Sequence, residues 1–176
     1  GAVFFIIHNI LVKTNLFLIS GVVKETNGSF ALKKLGGVYH VFPVLALLFA
    51  ISAFSLTGVP PLSGFWGKYL LAVGGLKASQ FVIVGVSLFV SILTLFSMTK
   101  IWGEVFWKKL PEESTLIIQN QSELFRKKWP MLIPVGILTI LIILMGVYSE
   151  PFVDYSMRVA EQLFNKEAYI NAVFNR

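Results

Sequence analysis

Four apolar stretches run through this sequence and decide what it can fold into, at residues 2–23, 38–73, 81–102 and 131–148. A helix needs roughly 20 apolar residues to cross the hydrocarbon core of a bilayer. Only 14% of the residues are charged, too few to give a soluble domain a polar surface. The sequence therefore predicts an all-α membrane protein, a bundle of about four transmembrane segments. Because the first stretch begins without an initiator methionine, we expect a fragment cut inside or just before a helix.

The second stretch is too long for one straight span, and the segment Gly-Val-Pro-Pro-Leu-Ser-Gly interrupts it. Two adjacent prolines remove two amide donors, and their rings clash with the preceding turn. A membrane tolerates such a break where the freed backbone groups find protein or water. We therefore expect a discontinuous helix, with one half ending near Thr57 and the other beginning near Leu62. The residues that define the break are Gly58, Pro60, Pro61 and Gly64.

Basic residues concentrate between the apolar stretches and predict the orientation of the chain. Most lysines and arginines fall within residues 24–34 and 100–128, which lie on one side of a four-span bundle. Because such loops stay in the cytoplasm, we expect both there, with the C-terminus outside a prokaryotic plasma membrane. After the bundle of residues 1–149, apolar and charged residues alternate at helical spacing. Residues 150–176 are therefore predicted to be a short amphipathic tail at the interface or on a partner subunit.

Polar residues inside the first stretch are the first candidates for function. Lys13 lies near its middle, where a charged side chain costs at least about 2.5–3.5 kcal/mol. Asn9 lies one turn from Lys13, and His8 lies two turns from Asn15. We expect the four side chains to form one polar sector, whose lysine and histidine could exchange protons near neutral pH. The alternative is a sector that only hydrogen-bonds within a helix bundle.

Lys68 is the second candidate, because it follows the break directly. The ends of half-helices carry partial charges, which transporters use at ion sites in the middle of the membrane. Gly64 and Gly67 leave room beside Lys68 for backbone or water. If the break instead lay at the membrane surface, Lys68 would be an ordinary interfacial lysine.

Three further polar residues carry weaker indications. His40 lies near the cytoplasmic entrance of the second span, as either a proton entry point or an ordinary surface histidine. Lys100 and Glu104 are four residues apart and predict an ion pair at a helix end. With two histidines and no cysteine in the chain, we expect no metal centre and no cofactor.

Two runs of sequence resemble the antiporter-like subunits that Mrp-type multisubunit cation/proton antiporters share with respiratory complex I. The runs are HNILVKTNLFLISG, starting at His8, and FSLTGVPPLSGFWGK, ending at Lys68. In that family the first run lies on a helix with polar proton-channel residues, and the second is the discontinuous helix of an inverted repeat. The resemblance implies that Lys68, Lys13 and His8 transfer protons, with Lys68 on the exit side.

The third apolar stretch and the end of the chain look like those of the D-type subunits of Mrp antiporters. This resemblance implies a transporter subunit, not an enzyme, that couples proton flux to sodium or another cation. The implied partners are the A, B, C, E, F and G subunits of the Mrp complex and the lipid bilayer, with no nucleic acid. The alternatives are a proton-pumping subunit of complex I (NADH-quinone oxidoreductase), with the same local chemistry, and a purely structural scaffold in the membrane.

Overall fold

The computed structural model describes the backbone of residues 1–109 and 121–165, and the side chains of residues 1–109 and 129–165. The described ranges are helical apart from short connections and contain no strand, which confirms the all-α prediction. The α-helices are α1 (Ala2–Asn27), α2 (Val38–Val41), α3 (Pro43–Thr57), α4 (Ser63–Lys77), α5 (Phe81–Trp102), α6 (Gln121–Val147) and α7 (Ser149–Phe164). A 3₁₀ turn covers Leu32–Lys34, and a π-helical turn covers Gly103–Trp107.

Three helical segments of the described chain are long and apolar enough to cross a membrane: Ala2–Asn27, Phe81–Trp107 and Trp129–Val147. The remaining predicted span consists of α3 and α4, each 15 residues long. At about 1.5 Å per residue, neither half reaches across the hydrocarbon core alone. The four-segment bundle with a discontinuous second segment is therefore confirmed.

Helix α1 lies in the middle of the bundle, where it packs against α3, α4 and α6 and contacts α7. Its buried positions recur every three or four residues along one face, as expected of a helix that packs on one side. These positions are Phe4, His8, Val12, Asn15, Ile19, Val22 and Val23. In a membrane, such packing is stabilised by van der Waals contacts and hydrogen bonds between helices rather than by removal of water.

Helix α5 lies on the outside of the bundle, because Val84 is its one buried residue in the described structure. Its other apolar side chains are exposed or partly exposed. A helix that is apolar all round and packed on little of its surface suits contact with lipid or with further membrane helices. The helix therefore forms an outer wall beside the broken segment.

The connections after α1 and after α5 meet on one side of the bundle. The Gly37 N–H, in the connection after α1, donates to the Lys108 carbonyl oxygen, after α5, at 2.6 Å. As far as the structure describes them, the two basic segments therefore share a side. Which side of the cell this is remains a prediction.

The ion pair predicted between Lys100 and Glu104 is wrong, because Glu104 pairs with Lys108 at 3.0 Å. Both lysines are four residues from Glu104, but helices favour pairs in which the glutamate precedes the lysine. The pair lies at the π-helical turn, where the Lys108 N–H bonds to the Gly103 carbonyl oxygen. Both side chains are more than a third exposed, so the pair adds little stability.

The predicted amphipathic helix is α7, which begins directly after α6. Its polar residues include Glu150, Asp154, Arg158 and Glu161, among exposed apolar side chains such as Tyr155 and Met157. Residues 166–176 of the predicted tail lie outside the described residues. The division into a bundle and a tail stays a prediction.

Candidate functional site

The break between α3 and α4 lies where the sequence predicts it. Helix α3 ends at Thr57, and Gly58 follows with a φ of 92°, a left-handed conformation that costs glycine little. The Gly58 N–H closes the helix by donating to the carbonyl oxygens of Phe54 and Ser55, each at 3.1 Å. The Pro60–Pro61 peptide bond is cis, and α4 begins at Ser63.

Lys68 reaches back across the break and caps the first half-helix. Its Nζ donates to the Thr57 carbonyl oxygen at 2.9 Å, although Lys68 belongs to the second half. The last carbonyls of a helix lack partners within the helix and carry partial negative charge, so they attract a cation. A Cβ at position 58 would lie 2.9 Å from Lys68 Cδ, so glycine there leaves room for the lysine side chain.

His8 joins α1 to both halves of the broken helix. The side chain is 1% exposed, and its Nδ1 lies 2.9 Å from Ser63 Oγ at the start of α4. Ser63 Oγ lies 3.1 Å from Ser55 Oγ near the end of α3. The structure thus brings together two of the three predicted proton-transfer residues, His8 and Lys68, at one break.

Gly64 permits the close approach of the two half-helices at this point. A Cβ there would overlap the Ser55 carbonyl oxygen and would lie 2.9 Å from His8 Nε2. The Gly64 N–H also donates to Ser55 Oγ at 3.4 Å. Any other residue would have to push α4 away from α3 and from the histidine.

A second polar group, centred on Asn15, lies two turns along α1 from His8. Asn15 Nδ2 donates to Ser52 Oγ at 2.8 Å and to Thr139 Oγ1 at 2.9 Å, which joins α1, α3 and α6. Each hydroxyl in turn donates to the carbonyl oxygen four residues earlier in its own helix. Neither hydroxyl is predicted from the sequence, since serine and threonine are common in membrane helices.

Lys13 lies apart from these groups, and the expected single polar sector is wrong. His8 and Asn15 are buried, whereas Lys13 is exposed. Seven residues bring a helix back to nearly the same face, but the five residues from His8 to Lys13 turn it by about 140°. Lys13 instead lines a mostly apolar cavity of about 510 Å³, together with Phe17 and Leu56.

His40 lies far from the break. It is exposed on α2, where its ring meets that of Tyr39 edge-on at 5.7 Å between centroids. Between His40 and the break runs the whole of α3, about 22 Å of helix. In the described part of the chain, no cluster of three or more His, Cys, Asp or Glu residues could hold a metal ion.

Helix α6 fixes the second half-helix through a hydrogen bond from Trp66 Nε1 to the Gly146 carbonyl oxygen at 2.9 Å. Trp66→Phe removes this bond and replaces the two-ring indole by a smaller phenyl ring, so the free energy of unfolding should fall by at least about 1 kcal/mol. The measurement is a thermal melt of the detergent-solubilised protein. Trp107, 73% exposed, provides the control Trp107→Phe, which should leave the melt unchanged. Equal melts for both variants would show that the bond adds no stability.

Fold and site together define a helical membrane protein whose broken span carries a lysine at the gap between its halves. A family model described as "NADH:quinone oxidoreductase/Mrp antiporter, TM" matches residues 1–94, which include α1 and the break. The chain belongs to this family.

Three known proteins show how the similarity extends beyond the family model. The D subunit of the Na(+)/H(+) antiporter of Alkalihalophilus pseudofirmus is 39% identical over 98% of this chain and 34% of its own length. The chloroplastic NAD(P)H-quinone oxidoreductase subunit 2 of Mesostigma viride is 30% identical over 83% of this chain and 29% of its own length. A chain in the solved Mrp complex from Dietzia sp. matches with a TM-score of 0.82 at 29% identity, over 97% of this chain and 38% of that chain. This chain thus spans about a third of the length of these relatives.

Proposed function

We propose that this chain is part of a proton-translocating subunit of a multisubunit cation (Na⁺)/proton antiporter. It acts as a secondary transporter in a bacterial plasma membrane and assembles with the A, B, C, E, F and G subunits of an Mrp complex. The similarity to the D subunit of an antiporter, at higher identity and coverage than the similarity to a quinone oxidoreductase subunit, supports this proposal. The basic connections face the cytoplasm, and the C-terminus lies outside.

The observation that carries the proposal is the contact between Lys68 and the Thr57 carbonyl oxygen at the break. An ionisable side chain inside a membrane span is by default functional, because its cost must be offset. As an ammonium, Lys68 is held by the helix end. As water enters the break, Lys68 releases its proton toward the exit side. Hydrogen bonding alone would not require an ionisable group at this place.

Protons reach Lys68 by way of His8, whose hydrogen-bonded serines belong to both halves of the broken helix. His8 and Lys68 both lie at the break, so the protonation of one is expected to influence the other. Lys13 supplies protons from the cavity on the other face of α1. His40, which is exposed near the basic connections, is the candidate for proton entry.

Transport assays on inverted membrane vesicles that contain the intact complex test the proposal. After respiration has acidified the vesicle interior, added Na⁺ should raise the internal pH within seconds, because sodium enters as protons leave. Vesicles from cells that lack this subunit should not respond. The complex I alternative predicts no response to sodium, together with co-purification of quinone-binding and iron–sulfur subunits. That result would replace the antiporter by a redox-driven pump with the same local chemistry.

A further inference from the structure

Three buried side-chain atoms on α1 have no hydrogen-bond partner among the described residues: His8 Nε2, Asn15 Oδ1 and, at the last residue of the helix, Asn27 Oδ1. The first two lie inside the span. The side chains of His8 and Asn15 are 1% and 0% exposed. Leaving a buried polar atom unpaired costs about 1–3 kcal/mol. Proteins normally avoid this cost by binding an ordered water at such atoms.

Helix α3 contributes one serine hydroxyl to the polar group around Asn15 and another to the polar group around His8. Ser52 belongs to the Asn15 group, and Ser55 belongs to the His8 group. The two serines are three residues apart, which is about 4.5 Å along the helix axis. A water that hydrogen-bonds to both hydroxyls would link the two groups.

We propose that Asn15 and Ser52 form a second, water-binding station that passes protons to His8. The inference rests on the proposed function and adds two residues to which that function gives no role. Water at the station accepts a proton on one side and releases another on the other, so no heavy-atom bond changes. Asn15 Oδ1 holds this water, and Ser52 places it one turn from Ser55. Protons therefore reach His8 along the buried face of α1, in addition to the face that carries Lys13.

Two variants of the intact complex test the station. Asn15→Leu should lower the antiport rate per assembled complex about tenfold or more, and should shift its pH profile. Ser52→Ala should lower the rate about threefold. The matched control is Ser91→Ala on α5, because Ser91 and Ser52 both donate to the carbonyl oxygen four residues earlier, at 2.9 Å. The control should keep the rate and the pH profile of the unaltered complex.

An Asn15→Leu complex with an unaltered rate and pH profile would overturn the inference. Should this variant fail to assemble, a high-resolution map of the unaltered complex decides. An ordered water within hydrogen-bonding distance of Asn15 Oδ1 supports the station, whereas a protein donor in its place refutes it. The map does not depend on transport, so it separates this inference from the proposed function. That function fails instead if the unaltered complex shows no sodium-dependent proton movement.

Discussion

Replacing Lys68 with alanine is expected to reduce sodium-dependent proton movement in the intact complex by at least about a hundredfold, the usual effect of losing a proton-transfer group. The variant loses the ammonium that bonds to the Thr57 carbonyl oxygen, and with it the one ionisable group in residues 58–68, the break and the first turns of α4. The rate is measured as the recovery of internal pH in inverted vesicles after sodium is added. It is normalised to the amount of assembled complex, so that lower expression does not count as lower transport.

Two further variants separate the possible roles of Lys68. Lys68→Arg keeps a positive charge but does not release a proton, because arginine stays protonated in proteins. It should therefore also lose transport, although the complex assembles. Lys77→Ala removes an exposed lysine from the end of the same helix and should keep the normal rate. If Lys68→Ala transported at the normal rate with a normal pH profile, proton transfer through this residue would be refuted.

Gly64→Ala is expected to have the second largest effect, and its origin is steric. The added methyl group would overlap the Ser55 carbonyl oxygen and would lie 2.9 Å from His8 Nε2. Overpacking costs about 1–3 kcal/mol, and more where the obstacle is backbone rather than a movable side chain. We expect loss of most assembled complex, measured by gel filtration of the solubilised membranes. The complex that still assembles should transport poorly, because His8 and the two half-helices are moved apart.

Gly74→Ala is the matched control, because Gly74 lies on the same helix and a Cβ there would meet no atom within 4 Å. The substitution should be neutral or should raise stability by up to about 1 kcal/mol, as alanine favours helix more than glycine does. If the two variants assembled equally well, the packing of α4 against Ser55 would not be as close as described.

The sequence predicts the broken helix closely, because the chemistry that makes the break is local. Adjacent prolines end α3 whatever lies around them, and Gly58 allows the left-handed turn that follows. The position of Lys68 after the break is therefore readable from the sequence. Its bond to the Thr57 carbonyl oxygen is not, since that contact depends on how α4 tilts relative to α3.

The polar contacts of α1 are less predictable, because their partners lie far away in the sequence. His8 bonds to a serine 55 residues later, and Asn15 bonds to hydroxyls 37 and 124 residues later. Only the packing of α1 against α3, α4 and α6 brings these groups together. The faces of α1, by contrast, follow from helix geometry alone: a spacing of seven residues places His8 with Asn15, and a spacing of five separates His8 from Lys13.

The bond between Lys68 and Thr57 has a mechanical consequence. The Lys68 nitrogen links the two half-helices α3 and α4, and the strength of its hydrogen bond depends on whether the nitrogen is charged. Loss of the proton from Lys68 would weaken this link between α3 and α4, and protonation of Lys68 would strengthen it again. The protonation state of Lys68 and the relative position of the two half-helices would then change in the same step.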